Sequence, residues 1–255
     1  MNDEIASQRA DGAPRRAEPP APADRDRPSR TLRPRDSATL IVVDRSEPVP
    51  KVLLGRRHER HKFMPGKFVF PGGRVEPTDR LMPTAKPLHE RDAARLMQRV
   101  KRPSLAKSAA FALTAVRETY EESGLMLGVG SAAEITVPRG AWQAFADANV
   151  LPDLSVIHFV ARAITPPGRP RRFDSRFFAV DSSAIALRAE GFVGPEAELV
   201  ELVWLPITEA RQLDMPTITA IVLEQLQERI ATGMSHDHPV PFYRMQHKRF
   251  LRDYL

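Results

Sequence analysis

Apolar and polar positions divide the chain near residue 37. Ahead of that point large apolar side chains are almost missing, whereas from Ala38 short apolar runs alternate with polar, turn-forming segments. Ala38-Thr-Leu-Ile-Val-Val43 and Lys51-Val-Leu-Leu54 predict two buried strands, with Pro48 and Pro50 marking the turn between them. Phe68-Val-Phe70 predicts a short third strand, ended by Pro71-Gly72-Gly73. The charged stretch 88–100 is helix-prone. Ser104 is placed to cap a long helix running to about Ser123, with Gly124 as its stop. Further strands are predicted over 157–164, 177–180 and 199–205. Ile218, Ile221, Val222, Leu226 and Ile230 recur at helical spacing and predict a helix over 217–230. Short strands interleaved with two or three helices make this an α/β chain with a mixed sandwich architecture.

Composition sharpens the boundary. The first 36 residues hold six of the 24 prolines and eight arginines against seven acids. Such a segment cannot bury enough surface to offset its ordering entropy, so 1–36 reads as a disordered tail and 37–255 as one domain. The tail carries only +1 of the chain's +6 formal charge, so the basic balance belongs to the domain. Asp3, Glu4 and Asp11 argue against a mitochondrial presequence, and no apolar stretch follows the early charges as a secretory signal requires. No apolar run reaches the roughly 18 residues of a membrane span. The absence of cysteine excludes disulfides, zinc–thiolate sites and cysteine nucleophiles, and suits a cytoplasmic protein.

The chemistry concentrates in Arg117-Glu-Thr-Tyr-Glu-Glu-Ser-Gly-Leu125. On a helix, Glu118, Glu121 and Glu122 share an arc of about 100°, while Ala109, Leu113, Val116 and Tyr120 lie opposite. One face is core; the other presents three carboxylates that repel one another at these spacings. Such a face asks for a cation, and oxygen donors without His or Cys suit Mg²⁺ or Mn²⁺. A bare E-x-x-E-E is equally compatible with a solvated acidic face. Upstream, however, the glycines of Phe70-Pro-Gly-Gly73 can bring backbone close to a metal or phosphate, and the two halves together are much more specific than either.

These residues resemble the Nudix hydrolases. That family's signature is a glycine, five residues, a glutamate, seven residues, then R-E-U-x-E-E-x-G-U, with U a bulky aliphatic residue. Arg117 to Leu125 matches its second half, with Thr119 at one U position, and Gly73 begins the first. An uninterrupted box would place the arginine at 87; it stands at 117, so about thirty residues, roughly 79–107, are inserted. Counting forward from Gly73 puts Asp79 at the glutamate position, and counting back from Arg117 puts Ala109 there. Split boxes of this kind resemble the branch acting on coenzyme A and its thioesters. Leu53-Leu-Gly-Arg-Arg57, Lys62, Gly66 and Phe70-Pro-Gly-Gly73 are similar to the motif that precedes the box in that branch, with three positions changed.

The resemblance implies a Nudix-type α/β/α sandwich with a mixed β-sheet and hydrolysis of a nucleoside diphosphate linked to another group, with Mg²⁺ or Mn²⁺. Glu118 and Glu122, stacked at i and i+4, are the leading metal ligands, with Glu121 a third and the Gly72 carbonyl a further one. Arg117 orients the glutamates. The general base is a box glutamate, Glu121 or Glu122, or a later acid, for which Glu198 leads and Glu196 and Glu201 follow. Arg57, Lys62 and Gly73 are expected at the substrate, and Arg169, Arg171, Arg172 and Arg176 are weighed as cations for the extra phosphate of a coenzyme A substrate against a solvated loop. Phe63, Phe68 and Phe70 are read as core or pocket wall, and His236, His238 and His247 as surface residues. The expected partner is a small molecule of the coenzyme A class, without a membrane and with nucleic acid a minor reading; a homodimer is left open. ADP-ribose, dinucleotides and nucleotide sugars stand as alternative substrates. A non-catalytic Nudix-fold binding module stands as the alternative class, against which the retention of all three glutamates speaks.

Overall fold

The first long strand is apolar on both faces, and this sets the architecture. In β1 (Arg35–Asp44), Ala38, Leu40 and Val42 join one buried cluster while Ile41 and Val43 join a second. A strand with two apolar faces must be covered on both sides. In the computed structural model, which describes residues 32–61 and 64–255, helices supply that cover. In chain order the elements after β1 are β2 (Lys51–Arg57), β3 (Phe68–Val69), β4 (Gly72–Arg74), α1 (Glu90–Met97), α2 (Leu105–Ser123), β5 (Leu125–Leu127), β6 (Val129–Gly130), α3 (Gln143–Asp147), β7 (Val150–Leu151), β8 (His158–Ile164), β9 (Phe173–Asp181), β10 (Ile185–Arg188), β11 (Leu199–Pro206), α4 (Ile207–Ala210), α5 (Thr217–Ala231), β12 (Pro241–Gln246) and β13 (Arg249–Tyr254).

The main sheet runs β11-β2-β1-β9-β8-β12-β13, with β3 beside β2 and β4 beside β1. Its β1–β9 and β8–β12 pairs are parallel and the rest antiparallel, so the sheet is mixed as expected. Phe111, Leu113 and Val116 of α2 and Leu96 of α1 cover one face, together with Trp142 and Phe145; Val222, Leu223 and Leu226 of α5 and Ile207 of α4 cover the other. This is the α/β/α sandwich. Helix α2 forms where its signals place it: the Ser104 hydroxyl accepts from Lys107 N at 3.1 Å, and Gly124 closes the helix at φ 73°. A side chain at position 124 would meet the Ala189 carbonyl, so both conformation and space require glycine there.

Three features depart from expectation. Strand β1 begins at Arg35, inside the stretch assigned to the tail: Arg35 N donates to Arg172 O at 2.9 Å. Residues 1–31 of that proposed tail lie outside the described residues. Strand β9 begins four residues early because its charges are matched: Arg162 pairs with Asp174 at 2.7 Å, and Arg176 pairs with Asp36 at 2.7 Å with its guanidinium 3.9 Å from the centre of the Phe111 ring. The third is the β12–β13 hairpin, which the sequence pattern does not announce. The inserted stretch is itself folded, with α1 packed on α2 and the buried Asp92 carboxylate accepting from Phe159 N on β8 at 3.0 Å. Among the described residues no helix is long and apolar enough to cross a membrane.

Candidate active site

Arg117 organises the carboxylate end of α2 from inside the protein. Its side chain is 3% exposed, and Asp79, on a short 3-10 turn (Pro77–Leu81), is fully buried beside it. The guanidinium donates through Nε to Asp79 Oδ1 at 2.8 Å and through Nη2 to Asp79 Oδ2 at 3.2 Å and Arg74 O at 2.9 Å. Asp79 also accepts from Thr114 Oγ1 at 2.7 Å, Trp142 Nε1 at 3.3 Å and Glu76 N at 2.8 Å. The residue reached by counting forward from Gly73 therefore holds the arginine, while Ala109 packs against the core. The third face of the guanidinium, Nη1, donates to Glu118 Oε1 at 3.0 Å and Glu121 Oε2 at 2.5 Å. Arg117 orients the glutamates and does not itself open on the cleft, as its position on the helix predicts.

That cleft, about 430 Å³, is lined by Glu118, Glu122 and Glu198, by the Gly72–Gly73 turn, and by Arg57, Arg74 and Arg171. Strand β4 brings the glycines in by pairing with β1, Gly72 opposite Thr39 and Gly73 opposite Ala38. Both approaches are too close for a side chain. A Cβ on Gly72 would lie 2.6 Å from Ala38 O, and one on Gly73 would lie 2.3 Å from the Glu118 carboxyl carbon. Gly72 N donates to Glu122 Oε2 at 3.1 Å.

The electrostatics are those of crowded, poorly solvated acids. Burial raises the Glu118 carboxyl to about 7, against the pull of Arg117 and with Glu121 and Glu198 adding repulsion. Burial raises Glu122 well above the usual carboxylate range, helped by the charges of Glu198 and Glu118. Glu198, in the β10–β11 connection, is about half exposed and held by Arg57 Nη2 at 2.9 Å. Two crowded carboxylates, Glu122 buried without an ion-pair partner among the described residues and Glu118 sharing Arg117 with Glu121 and Asp79, are oxygen donors that fit a hard divalent ion.

Not every expected residue arrives. Glu121 turns toward Arg117, is 41% exposed and does not line the cleft. Glu196 and Glu201 are tied to Arg60 and Arg56, at 3.0 and 2.8 Å, and also lie outside it. Of the four arginines weighed as phosphate cations, Arg171 lines the cleft. Arg176 is instead buried structure, and Arg172 donates to the Thr165 and Leu32 carbonyls. Lys62 and Phe63 lie outside the described residues. Phe70 is both core and cleft wall, and Phe68 packs on the same core. His236 is not a surface residue: its side chain is 18% exposed and shares a hydrogen bond with buried Asp92 at 2.8 Å. The sequence left Asp79 and Ala109 as alternatives for the glutamate position, and the structure gives it to Asp79.

No family model matches the chain. Among solved structures it is similar to a NUDIX hydrolase from Alicyclobacillus acidocaldarius at 26% identity and a TM-score of 0.57, covering 76% of this chain and 91% of that one. Weaker likenesses, at 14% identity, are the NUDIX domain of Shewanella oneidensis NrtR, solved with ADP ribose (TM-score 0.43; 78% and 90% covered), and the MutT protein of Methanosarcina mazei Go1 (TM-score 0.42; 78% and 99% covered). The chain shares the fold of the first of these, a NUDIX hydrolase, and carries its Arg117–Leu125 segment beside the cleft.

Proposed function

We propose that the chain is a divalent-cation-dependent diphosphatase whose substrate is a nucleoside diphosphate derivative of the coenzyme A class, split to 3′,5′-ADP and 4′-phosphopantetheine or its acyl form. The observation that carries the reading is the convergence on one cleft of Glu118, Glu122 and Glu198 with the Gly72–Gly73 turn and the exposed guanidinium of Arg171.

Glu118 and Glu122 would hold the cation with the Gly72 carbonyl as a further donor, and Glu121, turned toward Arg117, would reach it only through water. When bound, Mg²⁺ or Mn²⁺ neutralises phosphate oxygens and acidifies a water. Arg117 keeps Glu118 and Glu121 in register, so the carboxylates are aligned before substrate arrives. Arg57 holds Glu198 at the cleft, where its half-exposed carboxylate takes the proton of the attacking water. The water oxygen bonds to one phosphorus as the bridging oxygen departs with the other phosphate. Arg57, Lys62 and Gly73 contact the diphosphate. Arg171 meets the additional phosphate of coenzyme A, which favours that class, as does the motif from Leu53 to Gly73. The cysteine-free composition supports a cytoplasmic setting.

The test is mass analysis of products from coenzyme A, ADP-ribose, NADH and dinucleotides with Mg²⁺ or Mn²⁺. Release of 3′,5′-ADP with 4′-phosphopantetheine is expected. Faster cleavage of another member would move the substrate class, and inertness toward the whole panel would overturn the enzymatic reading in favour of a binding module.

A further inference from the structure

At the opposite end of β8 from the cleft, three elements distant in sequence bring ligand-type side chains together. Thr165, one residue beyond the strand, lines the cleft; His158 begins the strand, on the order of 20 Å away. Beside His158 stand Asp92 of the inserted helix α1 and His236 of the loop after α5. One potential ligand atom from each lies within 4.8 Å of the others.

Two buried polar atoms there lack hydrogen-bond partners: Asp92 Oδ1 and His158 Nδ1. Asp92 is 1% exposed. Its Oδ2 accepts from Phe159 N at 3.0 Å and shares a hydrogen bond with His236 Nδ1 at 2.8 Å, while its Oδ1 has only the Arg95 guanidinium at 3.6 Å. Native interiors rarely leave such atoms unsatisfied, and an absent ion is one of the standard reasons. The rings lie face to face, and one must tilt for both ring planes to contain a shared ion. His236 stacks between His89, at 4.0 Å and 4°, and His158, at 4.2 Å and 23°. Its loop is tied down by Arg95, which donates to His236 O at 2.5 Å and Asp237 O at 3.2 Å, and by Arg229, which donates to Pro239 O at 3.0 Å. His158 also lines a separate pocket of about 490 Å³ with Asp153 and Ser155, which provides an entry path.

We propose that Asp92, His158 and His236 form a second metal site, separate from the glutamate cleft and selective for a transition metal of the zinc class. One carboxylate, already facing Arg95 and Arg229, is too little negative charge to hold Mg²⁺ or Ca²⁺, which want several oxygen donors. Two imidazoles and a carboxylate are instead the donors of a three-ligand zinc site. Bound there, the ion joins the inserted helix to the sheet and to the loop after α5, and so acts as a staple of the fold. The inference does not depend on the substrate proposed for the cleft.

The experiment titrates Co²⁺ into the stripped full-length protein with Mg²⁺ in large excess, reading the visible absorption of the ion. One saturable equivalent is expected, with the bands of low-coordinate Co²⁺ bearing nitrogen donors, displaced by Zn²⁺ and unchanged in E118Q/E122Q. His236→Ala, a substitution at a partly exposed position, should weaken binding at least tenfold; circular dichroism checks its fold. Zn²⁺ at about 100 times the wild-type dissociation constant should raise the melting temperature of wild type by roughly 5–10 °C and that of His236→Ala by no more than about half as much. No saturable spectrum in wild type under excess Mg²⁺ would overturn the site whether or not the variant folds. An undiminished spectrum in His236→Ala would overturn it equally.

Discussion

Replacing Asp79 by alanine takes from Arg117 its partner inside the core. Neither side chain is more than 3% exposed, so the arginine cannot recover by hydration. Breaking a buried pair by removing one member costs about 3–5 kcal/mol. Arg117 would keep Glu118, Glu121 and the Arg74 carbonyl, which places the loss near the lower end. The Trp142 and Glu76 N–H groups lose the same acceptor, adding about 1 kcal/mol or more. A loss of about 4 kcal/mol is a large part of the 5–15 kcal/mol that holds a domain together, and lowers the melting temperature by roughly 8–16 °C at this size. Thermal and urea unfolding of wild type and Asp79→Ala, followed by circular dichroism, measure it. Asp79→Asn keeps the shape and loses the charge, so it should fall between them. Arg117→Met in the Asp79→Ala background should recover part of the loss by removing the stranded cation. A cost for Asp79→Ala below about 1 kcal/mol, the ordinary scale of point substitutions, would refute the claim that this pair anchors the carboxylate helix.

Three further outcomes follow from the same geometry. Glu122→Gln should abolish cation-dependent turnover while leaving the circular dichroism spectrum unchanged; near-normal activity in the purified variant would remove Glu122 from the metal set. In metal-free protein, Glu118, raised to about 7 from an ordinary 4.5, binds more protons folded than unfolded, so it lowers stability progressively as pH rises from 4.5 to 7, by about 3 kcal/mol in all. Partly buried His158, lowered to about 4 from 6.5 by desolvation, acts with the opposite sign between those values, so the measurement is the stability of Glu118→Gln relative to wild type in chelator, a difference that should grow over that window. Gly73→Ala places a methyl against the flexible end of Glu118, so its unfolding midpoint should move little while kcat falls, whereas Gly72→Ala, aimed at the Ala38 carbonyl, should lower the midpoint itself.

What could be read from the sequence was local. Helix α2 carried its own start, stop and apolar face, and Ala38–Val43 could be nothing but a strand covered on both sides. Glu118 and Glu122 followed from the helical period. The features that escaped are those whose partners lie far along the chain. Arg176 looks like a solvated or phosphate-binding cation until Asp36 and Phe111 close around it. The hairpin at 241–254 interleaves charges with aromatics, and its Phe242 is buried with the guanidinium of Arg162 4.5 Å from its ring centre. His236 shows no ligand spacing in its own segment, since its neighbours come from positions 92 and 158. Asp79 was ambiguous because the insertion allowed two counts and the shorter acid matches neither pattern; contacts from Trp142 and Thr114, far along the chain, decide between them.

The Asp79–Arg117 pair has a consequence for how the chain tolerates its insertion. Thirty-seven residues separate the two, where the uninterrupted pattern has seven. With closure entropy growing as (3/2)RT ln n, the longer loop costs only about 1.5 kcal/mol more to close. A buried pair at the neck, worth more than that to break, fixes the separation of the loop's ends whatever lies between them. The separation of the loop's ends, and with it the placing of Glu118 and Glu122, is thereby set by the pair rather than by the length of the chain between them.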